Sequence, residues 1–212
     1  VRASEAVVDH IGDFLRSHAV DAEFRHDGTL YTATNRAQMG TMEPVMHALQ
    51  EHGLASYRTL TPAEVVRRSG SQRNLAGVYS PVAATVHPGK LVRGLRQVAL
   101  DMGIRIHERS PMLEVDAGPP AVARTPYGSI RAKKFVLALN AWMAELFPQF
   151  ERSIVIVSSD MVITERCPEL LDATGLDGGV SVLDSRTFVY YYRSTVDGRL
   201  MLGKGGNTFA RG

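Results

Sequence analysis

What most constrains the fold of this 212-residue chain is a change of texture along it: helical stripes dominate the first hundred residues, and short β-type runs dominate the rest. Val7, Val8, Ile11, Phe14 and Leu15 recur at spacings of three and four, so the pattern predicts a first helix capped by Ser4 and ending near His18. A second helix is predicted over 36–52, with Met39, Met42, Val45, Met46 and Leu49 inward and Gly53 as its stop. Thr61-Pro62-Ala63-Glu64 combines an N-cap, a first-turn Pro and a capping-box Glu ahead of a short helix. Pro88 opens another, with Leu91, Val92, Leu95, Val98 and Leu100 apolar, and Gly103 ends it.

Between and after these helices lie the strand signals. Phe24 to Thr34 reads as a hairpin-like pair about Asp27-Gly28, and Gly77 to Val86 as a strand broken by Pro81. From Ile104 come short β pieces at 104–107, 112–115, 121–125 and 130–132, with turns at Gly118-Pro119-Pro120 and Tyr127-Gly128-Ser129. The apolar run Phe135 to Leu139 reads as a buried strand entering a short helix near 141–147. Beyond it the chain reads as all β, with strands at 154–164, 180–183, 187–192 and 199–203, and Asp197-Gly198 as a hairpin turn. This order suggests the later half of a nucleotide-binding α/β domain carrying a β insertion, followed by a separate antiparallel sheet that the first helices cover.

Composition removes several function classes. The formal charge of +2, from 24 basic and 22 acidic residues, argues against a nucleic-acid binder, whose affinity rests on concentrated positive charge. Arg67, Arg68 and Arg73, and Lys133-Lys134, read as solvated loop faces. The densest apolar stretch, 153–164, is broken by Ser158, Ser159 and Asp160, so no membrane span is expected. The single Cys167 excludes an internal disulfide and points to a reducing, cytoplasmic compartment. No base is identifiable for it, so it reads as a bystander. Seven scattered histidines give no metal site. The sequence holds no phosphate loop, no metalloprotease or hydrolase motif and no G-x-G-x-x-G after a strand. Gly203-Lys204-Gly205-Gly206 lacks that spacing and reads as a turn after a strand.

Two segments stand out. Phe135 to Trp142 is an apolar strand ending in small residues before a helix, where free backbone N–H groups suit a nucleotide phosphate or ribose; an ordinary strand-to-helix join is the plain alternative. In Thr187 to Arg193 a period of two puts Val189, Tyr191 and Arg193 on one face and Phe188, Tyr190 and Tyr192 on the other. Tyr191 beside Arg193 makes an aromatic wall with a fixed cation suited to a carboxylate; an edge-strand Arg stacked on Tyr is the competing reading.

Four stretches in chain order carry a family resemblance. They are Gly77 to Pro81 with Ala84 to Val92, Gly103 to Met112, Phe135 to Trp142, and Tyr191-Tyr192-Arg193 with Asp197 to Gly203. Together they resemble the FAD-dependent oxidoreductases of the D-amino-acid oxidase type, such as glycine oxidase, sarcosine oxidase and γ-glutamylputrescine oxidoreductase. The resemblance implies an α/β plus α+β fold: a partial FAD-binding Rossmann-like domain with a β insertion over 77–147, and an antiparallel-sheet substrate domain with covering helices from 1–76 and 148–212. It implies FAD as cofactor and oxidation of the C–N bond of an amine or amino acid to an imine, with no obligatory side-chain base. By the same resemblance Met112 faces the adenine side, Ala138, Leu139 and Asn140 line the pyrophosphate or ribose, and Trp142 holds the family's aromatic position. Tyr191, Arg193 and His87 fall on the substrate side, His87 being equally suited to a capping role.

The sequence departs from that family in lacking its G-x-G-x-x-G turn, its ribose-binding acid and its closing glycine-rich segment. With Val1 in place of Met and a stop at Gly212, it reads as an internal fragment, expected to bind FAD weakly or not at all and to be inactive alone. Two other readings stand beside this one: a non-catalytic α+β module recognising a small carboxylate or a protein partner, and a flavin monooxygenase or dehydrogenase of the same broad fold.

Overall fold

The computed structural model describes residues 1–210; Arg211 and Gly212, where the sequence stops, lie outside the described residues. In chain order the elements are α1 (Arg2–Ser17), β1 (Thr29–Ala33), a 3₁₀ turn (Arg36–Gln38), α2 (Glu43–Glu51), β2 (Arg58–Thr59), α3 (Pro62–Ser69), β3 (Ala76–Ser80) and α4 (Pro88–Asp101). A meander of β4 (Glu114–Asp116), β5 (Ala121–Thr125) and β6 (Gly128–Ala132) comes next, then 3₁₀ turns at Asn140–Trp142 and Pro148–Phe150 flanking α5 (Met143–Leu146). The chain ends with β7 (Ile156–Ile163), α6 (Pro168–Thr174), β8 (Ser181–Asp184), β9 (Tyr190–Ser194) and β10 (Leu200–Ala210). It divides into two compact units, one of Val1–Val98 with Ser159–Gly205, the other of Ala99–Ser158 with the last residues.

The first unit is organised by a seven-stranded sheet in the order β2-β3-β1-β8-β9-β10-β7. β1 pairs antiparallel with β3 and parallel with β8, Leu30 lying opposite Val182 and Tyr31 opposite Leu183. The second half is therefore not a separate antiparallel sheet, as its sequence suggests: early and late strands share one sheet. The expected boundary at residue 77 also falls inside that sheet, because β3 pairs along its whole length with β1. Strand signals mark where a strand lies, whereas its partner is chosen by contacts far away in sequence.

The pleat sorts side chains onto two faces. Leu30, Val182, Tyr79 and Tyr192 point to the face covered by α3, where they close on Leu60, Val65 and Val180. Leu30, Val65 and Val182 are wholly buried, each contributing about 1.5–3 kcal/mol of apolar transfer energy. α3 is fixed at both ends. The Thr61 hydroxyl accepts the Glu64 N–H at 3.3 Å while the Glu64 carboxylate accepts the Thr61 N–H at 2.9 Å, and Gly70 in the left-handed region (φ 63°) stops the helix.

Several local expectations are corrected. Asp27-Gly28 is not a hairpin turn: the Gly28 N–H donates to the Ala83 carbonyl, and Arg25 bridges to Thr85. The helix expected over 36–52 is interrupted at Gly40 (φ 78°), which leaves a 3₁₀ turn capped by Asn35 and a shorter α2, with Met39 and Val45 exposed. α6 has too few residues to show a periodic stripe and was not foreseen. Gly203 to Gly206 lie within β10, not in a turn after it.

In the second unit the β4-β5-β6 meander follows its turn signals, Glu114 opposite Arg124 and Thr125 opposite Gly128. Phe135 to Leu139, expected as a buried strand, has no ladder partner among the described residues, and Val136 is 92% exposed. Exposure still alternates along it, with Phe135, Leu137 and Leu139 half-buried and Val136 and Ala138 exposed. The side-chain period is that of a strand, but a strand also needs a neighbour for its backbone N–H and C=O groups.

Candidate functional site

The face of the sheet opposite α3 carries Tyr31, Leu183, Tyr191 and Gly203 in one row across four neighbouring strands. The row is possible because of its glycine. Gly203 stands directly opposite Tyr191, and a β-carbon there would fall inside the Tyr191 ring. The ring therefore lies flat over β10 and brings its hydroxyl to the Ser159 hydroxyl at 2.7 Å. A glycine in the interior of a strand commonly marks such a close approach.

Two residues along on the same face, Arg193 is half-buried and donates to the Val86 carbonyl at 2.9 Å. Burial, and then the charge of Arg25, push its pKa down, with Glu23 acting the other way. A guanidinium still holds its proton at neutral pH and has four further N–H donors. Among the described residues Arg193 makes no ion pair; Glu23 acts on its charge only from a distance, so the guanidinium keeps N–H donors for an acid on this face. Val86 is the residue before His87, so Arg193 ties β9 to the start of α4. His87 is exposed and its Nδ1 accepts the Lys90 N–H at 3.3 Å, a capping contact on α4.

Behind the sheet, a groove of about 720 Å³ lies on the α3 face, lined by Leu176, Val162, Leu202, Tyr190 and Tyr192. The Tyr192 hydroxyl donates to the Ser69 carbonyl at 2.7 Å and accepts from the Asn74 amide at 3.0 Å. At its end the buried Asp184 carboxylate accepts the backbone N–H groups of Arg186 and Tyr190 and pairs with the Arg186 guanidinium at 3.0 Å. Asp184 thus fixes the approach to β9, and through it the position of Tyr191.

The residues expected on the cofactor side lie in the second unit. Met112 is half-buried in the segment before β4. Ala138 is exposed at the end of the unpaired stretch, Leu139 leads into the 3₁₀ turn, Asn140 is left-handed (φ 51°) and Trp142 is 68% exposed. A small exposed residue beside a left-handed turn suits one edge of a nucleotide. The phosphate cradle itself needs a glycine-rich strand-to-helix turn, and these 212 residues contain none. The fit to FAD is thus partial, one edge without the phosphate site.

A family model described as FAD dependent oxidoreductase (DAO) matches residues 1–211. The chain belongs to this family. Among curated relatives, γ-glutamylputrescine oxidoreductase of Escherichia coli (strain K12) is 26% identical over 196 residues, which cover 92% of this chain and 46% of the relative. Glycine oxidase from Geobacillus kaustophilus superposes with a TM-score of 0.74 at 18% identity, covering 97% of this chain and 55% of that one. L-proline dehydrogenase from P. horikoshii gives 0.77 at 15% identity, covering 95% and 54%. The chain spans about half the length of the curated relatives it matches. At these identities the structural likeness establishes the DAO fold and nothing finer. No helix among the described residues is long and apolar enough to cross a membrane.

Sequence reading missed two participants in this site, Ser159 and Gly203. Ser159 carries no local signal, since it becomes a partner only through the β7-β10-β9 order. Gly203 did carry one, a glycine flanked by strand residues opposite a tyrosine.

Proposed function

We propose that this chain is the substrate-bearing half of a flavoenzyme that oxidises the C–N bond of an amine or amino acid, with the substrate held on the Tyr191 face. The observation that carries the reading is the pairing of a tyrosine pinned over Gly203 with a half-buried arginine that, among the described residues, forms no ion pair. Arg193 orients a substrate carboxylate through its planar fork, and the Tyr191 ring gives the flat wall that excludes water beside it. The first unit then serves the substrate, and Met112, Ala138, Leu139, Asn140 and Trp142 of the second serve the cofactor edge. His87 acts at the rim. FAD, when bound, would supply the acceptor for the hydride of the C–H bond beside the amine nitrogen, whose loss, with a proton from that nitrogen, turns the C–N bond into an imine. The names of the relatives, each an amine or amino-acid oxidoreductase, support the same substrate class. Without a phosphate cradle the 212 residues bind FAD weakly.

The test uses the longer flavoenzyme of which this chain is read as half, purified with its FAD, and follows flavin bleaching under anaerobic conditions as glycine, proline or a monoalkylated diamine is added. Bleaching is expected with the amine and not with its N-acylated form. Arg193→Met raises the half-saturating concentration for carboxylate-bearing amines about 10- to 100-fold, the scale of a charged hydrogen bond, and leaves amines without a carboxylate unchanged. An equal effect on both substrate types overturns the assignment of Arg193. A tightly flavinated, yellow chain as purified overturns the weak-binding reading.

A further inference from the structure

A second cavity, of about 360 Å³, opens on the Tyr191 face between α2 and strands β1 and β3. Its volume is at the small end of the range for ligand pockets. Met39, Met42 and Met46 form one wall and Tyr31 another, and Glu43 is the only carboxylate in the lining, which holds no Lys, Arg or His. Unbranched thioether side chains adapt to flexible apolar chains, and a tyrosine face attracts an ammonium group. Charge and shape together select a cation on an aliphatic chain and disfavour an anion.

The cavity is held open by its own loop. Gln38, 8% exposed, accepts the Thr34 N–H at 2.7 Å and the Thr34 hydroxyl at 2.9 Å, and Asn35 caps the turn by accepting the Gln38 N–H at 3.2 Å. The methionines therefore present themselves from a fixed turn, which lowers the ordering cost of binding. Tyr31, in the lining, stands in the same cross-strand row as Tyr191, two strands away. At about 4.8 Å per strand spacing the backbones of the two residues sit about 10 Å apart, and the Tyr191 ring, leaning over β10, lies farther from Tyr31 than that. That distance suits a chain of several methylenes.

We infer that the Met39/Met42/Met46 cavity binds the distal ammonium end of a linear aliphatic diamine, Glu43 facing the charge, while the other end reaches the Tyr191 face. The second clause rests on the proposed function; binding in the cavity does not. The test is titration of the chain, labelled at the methionine methyl groups, with hexane-1,6-diamine, observed by NMR. Methyl signals of Met39, Met42 and Met46 shift saturably, and those of Met102, Met112 and Met143, in the other unit, stay fixed. Hexanoate produces no such shift. Glu43→Gln, at an exposed position that leaves the fold intact, weakens diamine binding about tenfold, and Met46→Trp, which fills the cavity, abolishes it. Absence of the three shifts, or equal shifts with hexanoate, overturns the inference. If the three signals shift while anaerobic flavin bleaching fails, the cavity stands and the proposed reaction falls; bleaching without the shifts has the opposite meaning.

Discussion

Replacing Gly203 by Ala tests how the Tyr191 ring is held. The atoms that the new methyl meets are the far end of the ring, and Gly203 does not have a positive φ, so the backbone stays and the ring swings away. The ring then loses its hydrogen bond to Ser159, about 0.5–1.5 kcal/mol, and its packing over β10, of similar size. The alanine restricts the unfolded chain and returns about 0.4–1 kcal/mol. The expected net cost is about 1–2 kcal/mol. Tyr191→Ala removes the same two interactions by itself, so adding Gly203→Ala to it costs nothing or stabilises slightly. Urea unfolding of the wild type, the two single variants and the double variant closes a thermodynamic cycle in which the unfolded-chain contribution cancels, with an expected coupling of about 1–3 kcal/mol between the sites. Additive effects refute the reasoning, since they mean that the ring does not lie over Gly203.

Three further outcomes follow from the fold. Tyr192→Phe leaves the Ser69 carbonyl without its donor and costs about 1–3 kcal/mol in urea unfolding. Burial holds the Tyr192 pKa above its ordinary value of 10.0, against the pull of Asn74 and Ser69, so its stabilising contribution is complete below pH about 10 and is lost as pH rises through the raised value. The wild type therefore weakens on the alkaline side, and the Phe variant lacks that component in a pH series of unfolding midpoints. Leu30→Ala, at a wholly buried site, costs about 2–5 kcal/mol by the same assay. Thr61→Ala removes the α3 cap and costs about 1 kcal/mol, and Thr61→Ser restores most of it.

Much of the local structure was legible because its causes are local. The capping box at Thr61, the helix starting at Pro88, the turn at Tyr127-Gly128 and the hairpin at Asp197-Gly198 each depend on a few adjacent residues. The face assignment on β9 followed from the pleat alone, and put Tyr191 with Arg193 and away from Tyr192. What failed was non-local. No periodicity in Thr29 to Ala33 or in Ser181 to Asp184 says that these strands pair with each other. Phe135 to Leu139 has the composition of a strand, but composition supplies no neighbour. The methionines at 39, 42 and 46 matched a helical stripe, which hid the break at Gly40 that turns them into a cavity wall.

The parallel pairing of β1 with β8 joins residues 152 apart in sequence, Thr29 and Ser181 even sharing a side-chain hydrogen bond at 2.9 Å. A chain emerging from the ribosome must carry β1 unpaired on that edge until the roughly 150 residues leading to β8 have been synthesised. Helices such as α3 have only local hydrogen bonds to make within that interval, whereas the joint at the sheet's centre waits for β8. Such long-range order slows folding and lengthens the time that an apolar strand is exposed to other chains. The same topology makes the sheet a clasp: once β8 is seated beside β1, a cut within the intervening 99–158 segment leaves the two pieces held by strand pairing, by the shared Leu30/Val65/Val182 core and by bonds such as that from Tyr192 to Ser69.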